Sequence, residues 1–149
     1  AVQRDRVAAY FSVALEEGGR FATGGSVIEQ DGFWVQPTVV AGLDNSSRLA
    51  QEEIFGPVLV VIAHDGDDDA VRIANDSVYG LSGSVWSGDR DRAVAVANRI
   101  RTGTVGVNGG IWFSPDVPFG GYKQSGVGRE MGVLGFEEYL ETKSIAEPA

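Results

Sequence analysis

Cysteine is absent from this 149-residue sequence, which excludes disulfides, thiolate metal ligands and any cysteine nucleophile supplied by the chain itself. Histidine occurs once, as His64 beside Asp65, so a histidine-built metal site is not expected and a solvated or locally hydrogen-bonded role is. Positive charge is scarce and scattered. The 12 Lys and Arg stand against 21 Asp and Glu, a net charge of −9, and no basic cluster is present to meet a phosphate backbone, so no nucleic-acid partner is expected. No apolar run approaches the length of a membrane span and no signal-type stretch precedes the first helix, which predicts no membrane partner and a soluble, cytoplasmic origin. The sequons Asn45-Ser46-Ser47 and Asn75-Asp76-Ser77 are accordingly read as chance. Apolar volume, by contrast, is ample: 43% hydrophobic residues with seven Phe, four Tyr and three Trp can build a folded core.

The pattern along the chain predicts an α/β fold. Val7, Ala8, Tyr10, Phe11, Ala14 and Leu15 recur at helical spacing, and Gly18-Gly19 closes that helix. Strands are expected at residues 20–23 and 27–28 and along the aromatic and β-branched run 33–40, where Pro37 marks an edge or a break between two strands. Asp44-Asn45-Ser46-Ser47 offers N-cap chemistry for a short helix through Ala50. From Pro57 onward strands at 57–63, 81–86 and 104–107 alternate with helices opened by Asp67-Asp68-Asp69 and by Asp89, a βαβαβ order that predicts a parallel sheet. Residues 108–135 are glycine-rich and aperiodic and are expected to form a long functional loop with a short helix near 128–133. The last segment, 136–145, alternates roughly and is expected to form a strand that must find a partner, such as another subunit. The chain starts at Ala1 without a methionine and already in a helical pattern, which suggests a piece of something longer.

Several patterns carry no chemistry. Gly126-Val127-Gly128-Arg129-Glu130-Met131-Gly132 has one spacing too long for a dinucleotide fingerprint and no strand before it, and the stretch from Gly121 to Gly126 lacks the Lys-Ser/Thr pair of a P-loop. The Asp67-Asp68-Asp69 run lacks the alternation of a calcium loop and is read as helix capping. No metal site is expected. Glu52-Glu53-Ile54-Phe55-Gly56-Pro57-Val58 has two readings. In one, a helix ends in two surface glutamates and Phe55 belongs to the core. In the other, Glu53 and Phe55 extend to the same side, a carboxylate placed to accept hydrogen bonds from a sugar diol and a ring placed to pack against a flat heterocycle.

Five ordered motifs carry a resemblance. Gln51-Glu52-Glu53-Ile54-Phe55-Gly56-Pro57-Val58 resembles the signature segment of the aldehyde dehydrogenase superfamily. Phe33-Trp34-Val35-Gln36-Pro37-Thr38-Val39 resembles the strand before it, and Tyr79-Gly80-Leu81-Ser82-Gly83, Gly103-Thr104-Val105-Gly106-Val107-Asn108 and Pro118-Phe119-Gly120-Gly121-Tyr122-Lys123-Gln124-Ser125-Gly126, followed by Gly128-Arg129-Glu130, resemble the segments after it. The resemblance implies residues 1–135 to be the C-terminal part of the catalytic domain and 136–149 an oligomerisation strand and tail that joins subunits of a homo-oligomer. It implies a cofactor, NAD or NADP, with Glu53 holding the nicotinamide ribose hydroxyls and Phe55 beside the nicotinamide ring. It implies Trp112, Phe113 and Phe119 in the wall that receives the aldehyde, with Asn108 bracing the loop rather than touching substrate. The family's nucleophilic cysteine, its water-activating glutamate and its oxyanion asparagine lie upstream of this segment, so no catalytic residue is assigned here. The expected partner is the missing N-terminal portion of the same enzyme, and the chain alone is expected to be inactive and to bind the cofactor weakly. The alternative expectation is a naturally separate, non-catalytic association or regulatory module derived from that family.

Overall fold

The computed structural model describes residues 1–110 and 113–148 and divides into two compact units, Ala1–Gly66 and Asp67–Ala149. The expected α/β class is observed. In the first unit, helix α1 (Val2–Glu16) buries Val7, Tyr10, Phe11 and Ala14, one face of the predicted amphipathic pattern. That face lies in a core with Val40, Leu43, Leu49 and Ile54, and the Phe11 and Phe21 rings meet edge to face at 5.7 Å. Strands β1 (Arg20–Thr23), β2 (Thr38–Ala41) and β3 (Val58–Val61) form one sheet in that order, β1 antiparallel to β2 and β2 parallel to β3, with Thr38 opposite Val58. The predicted run 33–40 is broken where proline removes a donor: Val35 makes an isolated bridge to Val27, and the regular strand starts after Pro37. Between β2 and β3 lies the one-turn helix α2 (Arg48–Gln51), whose N-cap Ser47 accepts from the Ala50 amide.

The second unit opens with α3 (Gly66–Asn75), followed by β4 (Tyr79–Gly80), β5 (Ser82–Val85), α4 (Arg90–Ala97) and β6 (Thr104–Val107). Strands β5 and β6 pair in parallel through the α4 crossover, a βαβ unit, and Asp89 caps α4 by accepting from the amides of Asp91 and Arg92 at 2.9 and 3.1 Å. The three alternating strands of the sequence pattern are thus shared between two sheets: β3 takes β2 as its parallel neighbour, and β5 takes β6. Periodicity identifies strands but not their neighbours, and β2 was not part of the alternating run. The Asp67-Asp68-Asp69 run does more than cap α3, because Asp67 pairs with Arg92 at 2.6 Å and Asp68 with Arg99 at 2.7 Å, tying α3 to α4 and the turn after it.

The glycine-rich loop contains a two-residue strand, β7 (Tyr122–Lys123), antiparallel to β4, and a bridge between Phe119 and Glu130. Its short helix, α5 (Gly132–Glu137), lies a turn later than residues 128–133, because Gly128 and Met131 take positive φ angles that do not continue a helix. The strand expected over 136–145 is not formed: Phe136 and Glu137 end α5 and residues 138–148 have no regular structure. A strand is stabilised only by a neighbouring edge, and this segment meets none among the described residues. No described helix is long and apolar enough to cross a membrane.

Candidate functional site

The Glu53 segment leaves α2 abruptly. Glu52 is extended at φ −98°, ψ 146°, so the helix ends after one turn and the chain runs outward toward β3. Ile54 then turns into the core at 8% exposure, while Glu53 is exposed and Phe55 is 71% exposed. Phe55 is therefore not a core residue, which removes the first of the two sequence readings. The second supposes an extended segment, and there the structure differs: Phe55 adopts φ 55°, so residues 53–55 are not a regular strand. A left-handed angle costs a non-glycine residue roughly 1–2 kcal/mol and persists only where the surroundings impose it.

Helix α1 makes hydrogen bonds along this segment. The Gln3 side-chain amide donates to the carbonyls of Ile54 and Phe55, both at 2.9 Å, and Arg6 donates to the carbonyl of Glu53 at 3.0 Å. The Tyr10 hydroxyl donates to the Glu52 carboxylate at 2.7 Å, which Arg48 also holds through two hydrogen bonds at 2.9 and 3.1 Å. The Arg48 hydrogen bond, and after it the Tyr10 hydroxyl, hold the Glu52 carboxyl below its usual range, and Glu52 in turn raises Arg48. Gly56 passes so close to α1 that a Cβ there would lie 2.5 Å from a Val7 methyl. These α1 contacts were not read from the sequence. Their signal was available, since Gln3, Arg6 and Tyr10 share a helical stripe with buried Val7 at spacings of three, four and seven residues.

Glu53 and Phe55 line one open hollow of about 400 Å³, with Leu49, Val58, Leu59 and Ile62 among its other walls. Unlike Glu52, the Glu53 carboxylate makes no hydrogen bond or ion pair among the described residues, so its acceptor capacity faces the hollow unused. A carboxylate, an exposed ring and apolar walls within one hollow suit a ligand with a diol and a flat heterocycle.

The second group of predicted residues lies in the second unit. Phe113 and Phe119 meet edge to face, 5.4 Å between ring centroids at 71°. The backbone of Phe119 exchanges two 2.7 Å hydrogen bonds with Glu130, and Phe119 borders a hollow of about 370 Å³ shared with Leu81, Arg129 and Tyr139. Trp112 lies outside the described residues. Asn108 braces its loop as expected: its side chain accepts from the Ser87 amide at 2.8 Å and donates to the Ser87 carbonyl at 2.9 Å. Lys123 has a similar bracing role, its ammonium donating to the carbonyls of Asn75 and Ser77 at 2.8 and 2.9 Å. His64 is exposed and locally hydrogen-bonded, its Nδ1 3.0 Å from the Gly66 carbonyl.

Residues 1–145 match the aldehyde dehydrogenase family. The chain is 50% identical over 147 residues to geranial dehydrogenase from Castellaniella defragrans and 42% identical over 149 residues to betaine aldehyde dehydrogenase from Bacillus subtilis, covering 97% of this chain and 30% of each relative. Among solved structures, an aldehyde dehydrogenase from Mycobacterium tuberculosis complexed with NAD+ superposes with a TM-score of 0.91 at 51% identity, over 98% of this chain and 30% of that one. Betaine aldehyde dehydrogenase from Staphylococcus aureus in complex with NAD+ superposes with a TM-score of 0.91 at 43% identity, over 96% and 29%. The chain thus spans about 30% of the length of the relatives it matches. The ordered motifs, the α/β fold and these matches agree: the chain belongs to the aldehyde dehydrogenase family.

Proposed function

We propose that this chain supplies the nicotinamide-ribose contact and part of the substrate wall of an enzyme that oxidises an aldehyde to a carboxylic acid with NAD or NADP. The observation that carries this reading is the unpaired Glu53 carboxylate sharing a hollow with the exposed Phe55 ring. The cofactor, when bound, supplies the hydride acceptor. Glu53 accepts hydrogen bonds from the ribose diol, and Phe55 offers its face to the ring, so together they orient the acceptor rather than react with it. Phe113 and Phe119 form an aromatic wall that excludes water from the aldehyde carbonyl, and the sequence resemblance assigns Trp112 to substrate contact as well. Residues 136–149, with Phe136, Tyr139, Leu140 and Ile145 exposed, supply contacts to another subunit of a homo-oligomer. The absence of cysteine means that a thiol nucleophile comes from outside these 149 residues, in the portion of the enzyme that precedes them. Alone the chain is accordingly inactive and holds the cofactor weakly.

The reading is tested by exchanging this chain for the corresponding segment of the Mycobacterium tuberculosis relative and measuring aldehyde oxidation optically. Glu53→Ala in that chimera is expected to lower kcat/KM for NAD+ about tenfold or more, the loss of hydrogen bonds to a charged acceptor. An active chimera whose kcat/KM for NAD+ is untouched by Glu53→Ala would overturn it.

A further inference from the structure

The contacts that Gln3 and Arg6 of α1 make with the Glu53 segment lie outside the core cluster. Gln3 and Arg6 reach backbone carbonyls of three successive residues, Glu53, Ile54 and Phe55, and those residues carry the one left-handed angle of the segment. Carbonyls at such a turn have no ladder partner, so their donors decide which way the peptide planes face, and the planes decide where the side chains at 53 and 55 point. The rest of the stripe closes the two ends: Tyr10 holds Glu52 before the turn, and Val7 packs on Gly56 after it. Every residue from 52 to 56 thus meets α1 or, as Ile54 also does, the core beneath it.

We propose that Gln3 and Arg6 are positioning residues: their side-chain N–H groups fix the peptide planes of residues 53–55 and so set the relation between the Glu53 carboxylate and the Phe55 ring. This assignment rests on the reading of Glu53 and Phe55 as a nucleotide grip. It adds that the grip is preorganised by the helix rather than formed on binding, so that a ligand is spared the ordering of a strained turn.

The test uses the whole chain with two substitutions that keep side-chain bulk. Gln3→Glu replaces a donor by an acceptor facing two carbonyls, and Arg6→Met keeps the stem without the guanidinium. Hydrogen exchange without ligand, followed by mass spectrometry, is expected to speed about tenfold at residues 53–58 in both variants while residues 11–14 of α1 keep their protection. In the chimera with the Mycobacterium tuberculosis relative, affinity for NAD+ is expected to weaken about tenfold in both variants, with Arg6→Lys recovering part of the loss because it restores a donor. Unchanged exchange at 53–58, or acceleration spread equally over α1, would overturn the clamp. Faster exchange with unaltered NAD+ affinity, where Glu53→Ala does weaken NAD+, would overturn the positioning role and leave the nucleotide reading standing. NAD+ binding by the chimera that is indifferent to Glu53→Ala would overturn the nucleotide reading itself.

Discussion

The two units solve the same problem, holding an irregular segment still, with opposite means. In the first, the turn at residues 52–56 is gripped by side chains that reach across from α1, over a core of eight buried residues. In the second, Val71 and Ala93 are the buried apolar side chains among the described residues, and the glycine-rich loop adds to its braces at Asn108, Lys123 and Arg129 a close approach of backbone to backbone. Gly103 shows how closely: a Cβ there would sit 1.6 Å from the Gly120 carbonyl oxygen. A segment gripped by side chains is adjustable, since each donor can be changed alone and the loss is partial. One built on glycine contacts has no slack, because the obstacle is main chain and no rotamer moves it.

The sharpest way to break this contrast is Gly103→Ala. Backbone must shift to admit the methyl group, and the hydrogen bonds of residues 103 and 104 to the carbonyls of Gly80 and Leu81 shift with it. A loss of about 3 kcal/mol or more is expected, read as collapse of exchange protection in β5 and β6. If the variant keeps native protection, the close approach is not a constraint and the contrast fails.

A middle-sized effect is expected at Arg129, where the second unit does use a side chain. Its guanidinium donates to the carbonyls of Gly121 and Gly128 at 3.1 and 2.6 Å and lies 5.3 Å from the centre of the Tyr122 ring. Arg129→Met removes these donors and leaves the glycine packing intact. About 2 kcal/mol of local stability should be lost at residues 119–130 in hydrogen exchange, without loss of the β5–β6 pairing. Disruption as large as that from Gly103→Ala would show that the arginine, and not the backbone contacts, holds the loop.

What the sequence made legible follows the same division. Elements set by local signals were found: the α1 stripe, the Ser47 and Asp89 caps and the interruption at Pro37 all lie at or beside the expected positions. Strand neighbours were not, since the pairing of β2 with β3 joins residues on either side of α2 and no period records it. The tail's alternation calls for an edge to pair with, and none meets it within the described residues. At the site, residue types drew attention to Glu53 and Phe55, but the turn that puts them in one hollow depends on Gln3 and Arg6, 47 to 52 residues away in the chain. Polar side chains on the inner stripe of a helix carry that signal, because a donor there faces the chain on which the helix packs.

The smallest expected effect lies at the entrance to the turn and depends on pH. Glu52 has its carboxyl lowered from 4.5 by the hydrogen bond from Arg48 first and that from Tyr10 second. A carboxyl lowered in the folded state contributes stability that is present above its ordinary value and is lost as pH falls through the lowered one. Arg48 is raised from a value already beyond the working range, so it adds no titration of its own. Acidification below 4.5 should therefore loosen residues 52–56, while Glu52→Gln, which keeps an acceptor for Tyr10 but no charge, should show a weaker acid dependence across the same window. Intrinsic-rate-corrected exchange of that segment, compared between about pH 3 and 6, reads the difference. The effect is small because both partners of the Arg48 pair stand in solvent and are screened. An acid dependence identical in Glu52→Gln would move the titrating group elsewhere and leave the turn held by the Gln3 and Arg6 N–H groups that donate to its carbonyls.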